Sequence, residues 1–72
     1  MKPKSSRPRD VERVVKQLGF LWSHGDGSHR VYKHPDGRRT TISFHSKDMK
    51  MGTLRGIIED MGITVEDYNE RV

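Results

Sequence analysis

The 72-residue chain has no cysteine, only 31% apolar residues and 7% aromatics, and no apolar run that approaches a membrane span. Each shortage removes a class of protein. Without cysteine there is neither a disulfide framework nor a thiolate metal site, and a cytoplasmic location is expected. A membrane helix needs about 20 consecutive apolar residues. The Lys/Pro/Ser/Arg start also lacks the apolar segment of a secretory signal, so no membrane role is expected. The length excludes a multi-domain enzyme built on a cofactor fold. It leaves one domain with a thin core, because a chain this small buries only about 60% of its unfolded surface.

What the chain has in quantity is charge: Lys+Arg 14 against Asp+Glu 10, a net +4. The distribution is uneven. Residues 1–47 hold 11 Lys/Arg and 4 Asp/Glu, whereas residues 48–72 hold 3 and 6, so a +7 portion precedes a −3 portion. A basic face attracts polyanion backbones without reading bases, although it also serves simply to keep a protein soluble.

Residues 1–5 read as a flexible basic lead-in and residues 6–72 as a single domain. Ser6 suits a helix N-cap, with Pro8 in the first turn, and Val11, Val14, Val15 and Leu18 form an amphipathic stripe that ends at Gly19. Phe20 to His24, Ser28 to Lys33 and Arg38 to Phe44 read as three strands, separated by the turns Gly25-Asp26-Gly27 and Pro35-Asp36-Gly37. Ile42 and Phe44 are expected inward, with Arg39, Thr41 and Ser43 outward. Val31 is expected in the core, on the same face as His29. Trp22 shares the parity of Phe20, which suits a core or partner-interface residue, with stacking on a nucleobase as the other reading. Met49 and Met51 fall in a polar loop. Thr53 is the expected N-cap of a second helix whose buried stripe is Leu54, Ile57, Ile58 and Met61, and Gly62 ends it. Thr64-x-x-Asp67 restarts a short helix. The expected fold class is therefore α+β: an α-β-β-β-α sandwich with two helices on one face of a three-stranded antiparallel sheet, the other face left to solvent or a partner.

Four histidines, His24, His29, His34 and His45, are the candidates for chemistry. They lack metal-ligand spacing, and neither a metal nor a cofactor is expected. Ser28 and Ser46 lack the setting of a serine nucleophile. His29 follows a Gly-x-Gly turn at a strand start, near the cations Arg30, Lys33, Arg38 and Arg39. An imidazole there can move protons at a ribose 2′-hydroxyl or a leaving 5′-oxygen while cations hold the phosphate. It can equally cap a strand and bond a backbone carbonyl.

The ordered set Leu18-Gly19-Phe20, Gly27-Ser28-His29-x-Val31-Tyr32, His34-Pro35-Asp36-Gly37-Arg38, Phe44-His45-Ser46, Gly52-Thr53-Leu54-Arg55-x-Ile57-Ile58 and Met61-Gly62-Ile63 resembles the HicA (YcfA-like) mRNA interferase toxins of prokaryotic toxin–antitoxin pairs. The resemblance runs from about Arg9 to Tyr68. It implies a double-stranded-RNA-binding-domain-like fold, metal-independent RNA cleavage by the histidine of the Gly-Ser-His motif (His29), and inhibition by a HicB-like antitoxin. Gly27 and Ser28 would shape the turn that carries the imidazole. The chain has Gly25-Asp26 where many relatives carry Lys or Arg, and Met51 where relatives often have Pro. The expected function is an endoribonuclease toxin of a type II pair acting on mRNA, with Arg30, Lys33, Arg38 and Arg39 as RNA-contacting cations. The alternative is a non-catalytic module that binds double-stranded RNA by shape.

Overall fold

The computed structural model describes residues 1–45 and 47–72. Ser46 lies outside the described residues. Helix α1 (Pro8–Gln17) is followed by strands β1 (Leu21–Gly25), β2 (His29–Lys33) and β3 (Arg39–Ser43), then by helices α2 (Met51–Met61) and α3 (Val65–Arg71). The sheet is antiparallel in the order β1-β2-β3, which is the α+β arrangement expected from the sequence.

Helix α1 starts one residue later than Ser6 suggests. Pro8 occupies the first helical turn, and the residue before a proline is pushed to extended backbone, so Arg7 (φ −86°, ψ 158°) becomes the N-cap. Asp10 accepts a hydrogen bond from the Arg7 amide at 3.0 Å. Ser6 is instead buried. Its hydroxyl accepts from Tyr68 on α3 and donates to the Lys4 carbonyl, both at 2.8 Å, and its carbonyl accepts from the Met49 amide at 3.0 Å. The first residues run against α3, where Asn69 accepts from the Lys4 amide and donates to the Lys2 carbonyl. Met49 packs into the core, because this bond to Ser6 pulls its loop inward. Helix α2 begins at Met51 with Lys50 as N-cap, so Thr53 lies inside the helix. Gly62 ends α2, and Thr64 caps α3 by accepting from the Asp67 amide at 3.0 Å.

Both helical layers cover the same sheet face. From α1, Glu12 accepts hydrogen bonds from Arg30 (2.7 Å) and from the Tyr32 hydroxyl. From α2, Asp60 accepts from Thr40 at 2.9 Å, and Thr40 is the register partner of Tyr32. Tyr32 and Ile42 therefore join Val11, Val14, Val15 and the α2 stripe in one core. Val31 points the other way. It is only half-buried, contrary to the expectation of a core position, because period-two alternation exposes the face opposite Tyr32. All five residues of β1 are exposed. Trp22, 59% exposed, is thus not a core residue.

Burial would raise the Glu12 carboxyl, but the hydrogen bonds from Tyr32 and Arg30 outweigh it and hold the group below the usual carboxylate range. A carboxyl held low in the folded state contributes stability above its ordinary titration range. That contribution is lost as pH falls through the lowered value. Acidification from about pH 7 to about pH 3 should therefore cost the native protein more stability than a Glu12→Gln variant. Urea midpoints across that range check this, and parallel profiles would refute it.

Candidate functional site

The site is built at the end of the sheet where β1 turns into β2. Asp26 Oδ1 accepts from the backbone amides of Ser28 (2.8 Å) and His29 (2.9 Å), forming an Asx-type turn. These amides, that of His29 foremost, hold the Asp26 carboxyl below the usual range. Gly25 sits at φ +120°, and a Cβ there would fall 2.1 Å from the His29 carbonyl oxygen. Only glycine lets the turn close this tightly against His29. Gly27 is different, since a Cβ at that position would meet nothing within 4 Å. Asp26, expected from the sequence as the middle of a turn, is thus also the residue that sets the backbone of His29. The signal available in the sequence is an Asp three residues ahead of the histidine between two glycines.

His29 is exposed on the open sheet face. Its register partner is Ser43. One step beyond, the Phe44 amide donates to the Ser28 carbonyl at 2.7 Å, which keeps the end of β3 beside the turn. Phe44 turns inward and packs against the core, so alternation sends His45 outward. The His29 and His45 rings meet edge to face with centroids 4.9 Å apart. The other two histidines stand elsewhere. His24 is on β1 beside Val31, with Nδ1 3.1 Å from the Ser23 hydroxyl. His34 is a fastener: its Nε2 donates to the Leu18 carbonyl at 3.1 Å, and its ring packs edge-on against Phe20. Among the described residues, no three His, Cys, Asp or Glu side chains gather as a metal site.

The four cations divide into two pairs. Lys33 and Arg39 are exposed register partners on the same open face as His29, about 13 Å along the strand from it at the usual rise. Arg30 and Arg38 face the helices. Arg30 pairs with Glu12 and lies 4.4 Å from the Phe44 ring centroid. Arg38 pairs with Asp36 at 2.8 Å, donates to the Met61 carbonyl at the end of α2, and sits over Phe20. The fold does not bring these two guanidinium groups to the His29 face. On the helix side of the same turn, a cleft of about 390 Å³ is lined by Lys16, Trp22, Asp26, Arg30 and Tyr32 among others.

Gly25→Ala should strain the turn by at least about 1–2 kcal/mol, lowering Tm by roughly 4–16 °C, whereas Gly27→Ala should leave Tm nearly unchanged. Thermal unfolding of the two variants side by side tests this assignment, which equal effects would contradict.

A search of curated proteins finds no match to the chain. Residues 8–63 match the family described as HicA toxin of bacterial toxin-antitoxin. The matched segment begins at the first residue of α1 and ends just past Gly62, so it takes in all three strands, the Asp26 turn and both histidines of the pair. The chain belongs to the HicA family of toxins from bacterial toxin–antitoxin systems.

Proposed function

We propose that this toxin is a metal-independent endoribonuclease that cleaves mRNA, with His29 as the general acid or base, and that it forms a type II pair with a HicB-like antitoxin. The observation that carries the reading is the setting of His29. It is an exposed imidazole on an open sheet face, its backbone fixed by Asp26, with Lys33 and Arg39 on that same face. Proton transfer by such a group accelerates a reaction by about 10²–10⁴-fold when the substrate is held in register. Lys33 and Arg39 supply phosphate contacts along the strand direction, and Gly27 and Ser28 line the approach to the ring. The expected chemistry is transphosphorylation, in which the 2′-oxygen attacks the adjacent phosphorus and leaves a cyclic phosphate.

Arg30 and Arg38 enter this reading in a supporting role. Their guanidinium groups are committed to Glu12 and Asp36 and to the faces of Phe44 and Phe20. They hold the helices to the sheet that presents His29. The partners in this reading are the RNA substrate and the antitoxin, both met in the cytoplasm; no helix among the described residues is long and apolar enough to cross a membrane.

His29→Ala should abolish RNA cleavage in EDTA and growth arrest on induction, while its circular dichroism and unfolding midpoint stay native. A wild-type protein that binds RNA without cutting it would instead support the shape-reading module. The cations separate by a second measurement. On single-stranded RNA, the slope of log K against log salt should flatten by about 0.7 for each of Lys33→Ala and Arg39→Ala. Arg30→Ala and Arg38→Ala should lower Tm and leave the slope unchanged. Reversal of that pattern would move the RNA path off the open face.

A further inference from the structure

We infer that His45 is the second proton-transfer residue of this site, so that His29 and His45 work as an acid–base pair on one phosphodiester. The inference rests on the ribonuclease reading of His29 and adds the group that reading lacks. Cleavage by an internal 2′-hydroxyl moves two protons. As the 2′-oxygen–phosphorus bond forms, one imidazole takes the hydroxyl proton. As the phosphorus–5′-oxygen bond breaks, an imidazolium gives its proton to the departing 5′-oxygen. A single histidine cannot both hold and lack a proton at one moment, whereas two adjacent histidines divide the work. No oxidant, reductant or further reactant is needed, and the proton count closes.

The placement of His45 follows from the backbone. The Phe44 amide bonds the Ser28 carbonyl at 2.7 Å, and Phe44 packs inward, so the next side chain emerges on the open face beside His29. Both rings are exposed to an incoming strand, and their centroids lie 4.9 Å apart. The charged group in the turn against them is Asp26, which is exposed and spends Oδ1 on the two backbone amides. Lys33 and Arg39 are at the far end of the face, and the following loop carries Lys47 and Asp48. The rings meet edge to face, and among the described residues the histidine ring hydrogen bonds are those of His24 and His34, so none engages a ring nitrogen of His29 or His45.

The test is the pH dependence of kcat/KM on a short RNA, for the native chain and for His45→Ala and His29→Ala, with affinity for a non-cleavable 2′-deoxy analogue measured alongside. The native profile should be bell-shaped. His45→Ala should lose about 10²–10⁴-fold in kcat and one limb of the bell while binding the analogue as tightly as before. A substrate with a 4-nitrophenoxide leaving group, which departs without protonation, should restore most of the rate to whichever variant lacks the acid. Unchanged kcat with both limbs intact in His45→Ala overturns the pair but leaves His29 standing if His29→Ala is dead. A His45→Ala defect confined to analogue affinity makes His45 a binding residue and also overturns the pair. Native cleavage by His29→Ala overturns the underlying reading.

Discussion

The carboxylate of Glu12 accepts from Arg30 and from Tyr32, two residues apart on the central strand, and thereby ties α1 to one face of β2. Because side chains alternate along a strand, everything of the other parity is committed at the same moment. His29, Val31 and Lys33 face away from the helices, and their partners Ser43, Thr41 and Arg39 do so with them. Tyr32 answers the bond in kind, since burial and the neighbouring carboxylate push its phenol above the ordinary range and keep it a donor. A strand carrying both Val and Tyr at adjacent positions has two apolar residues to offer a core. The carboxylate on α1 decides which one is taken.

The same core shows why net charge is a poor guide to binding surface. A small two-layer domain has few large apolar side chains to join its layers, and this one uses arginines for the purpose. The guanidinium group is planar and weakly hydrated, so it can stack on an aromatic face while donating to a carboxylate or carbonyl at its edge. Arg30 does this between Glu12 and Phe44, and Arg38 between Asp36, the end of α2 and Phe20. Arg30 and Arg38, two of the four cations expected to contact phosphate, are therefore half-buried fasteners. The other two, Lys33 and Arg39, stand on the face that presents His29.

Coverage by the helices stops short of β1, which is exposed along its whole length and carries Leu21 at 67% and Trp22 at 59% exposure. An edge strand with free backbone groups invites pairing, and here a register shift between Trp22 and His24 interrupts it. The irregularity leaves β1 paired to β2 at both ends, so the turn that holds His29 is anchored while the edge itself is broken. Leu21 and Trp22 stand on opposite faces of this edge, beside Lys33 and Tyr32 respectively, so they are separate exposed side chains and not one patch.

Local chemistry made much of this protein legible. The valine stripe of α1, the two turns, Gly62 as the end of α2, Thr64 as the cap of α3 and the inward Ile42 all depend on residues within a few positions of one another, where spacing and side-chain type suffice. His29 was singled out differently: its neighbours left it open between proton transfer and a strand cap, and the resemblance of the ordered motifs to the HicA family pointed to it. What the sequence left open depends on partners far along the chain. Ser6 became a buried link to Tyr68 because Pro8 claimed the helix start, and Met49 entered the core by following that link. Val31 yielded its core position to Tyr32 because of a carboxylate 20 residues away from the tyrosine. The meeting of His29 with His45 required the register of β2 on β3 and the inward turn of Phe44. Sequence by itself determined the elements and the histidine at the turn. Only the tertiary structure decided which face that histidine looks out from, which cations share it and which second imidazole stands beside it, because strand parity and register are settled by contacts between layers.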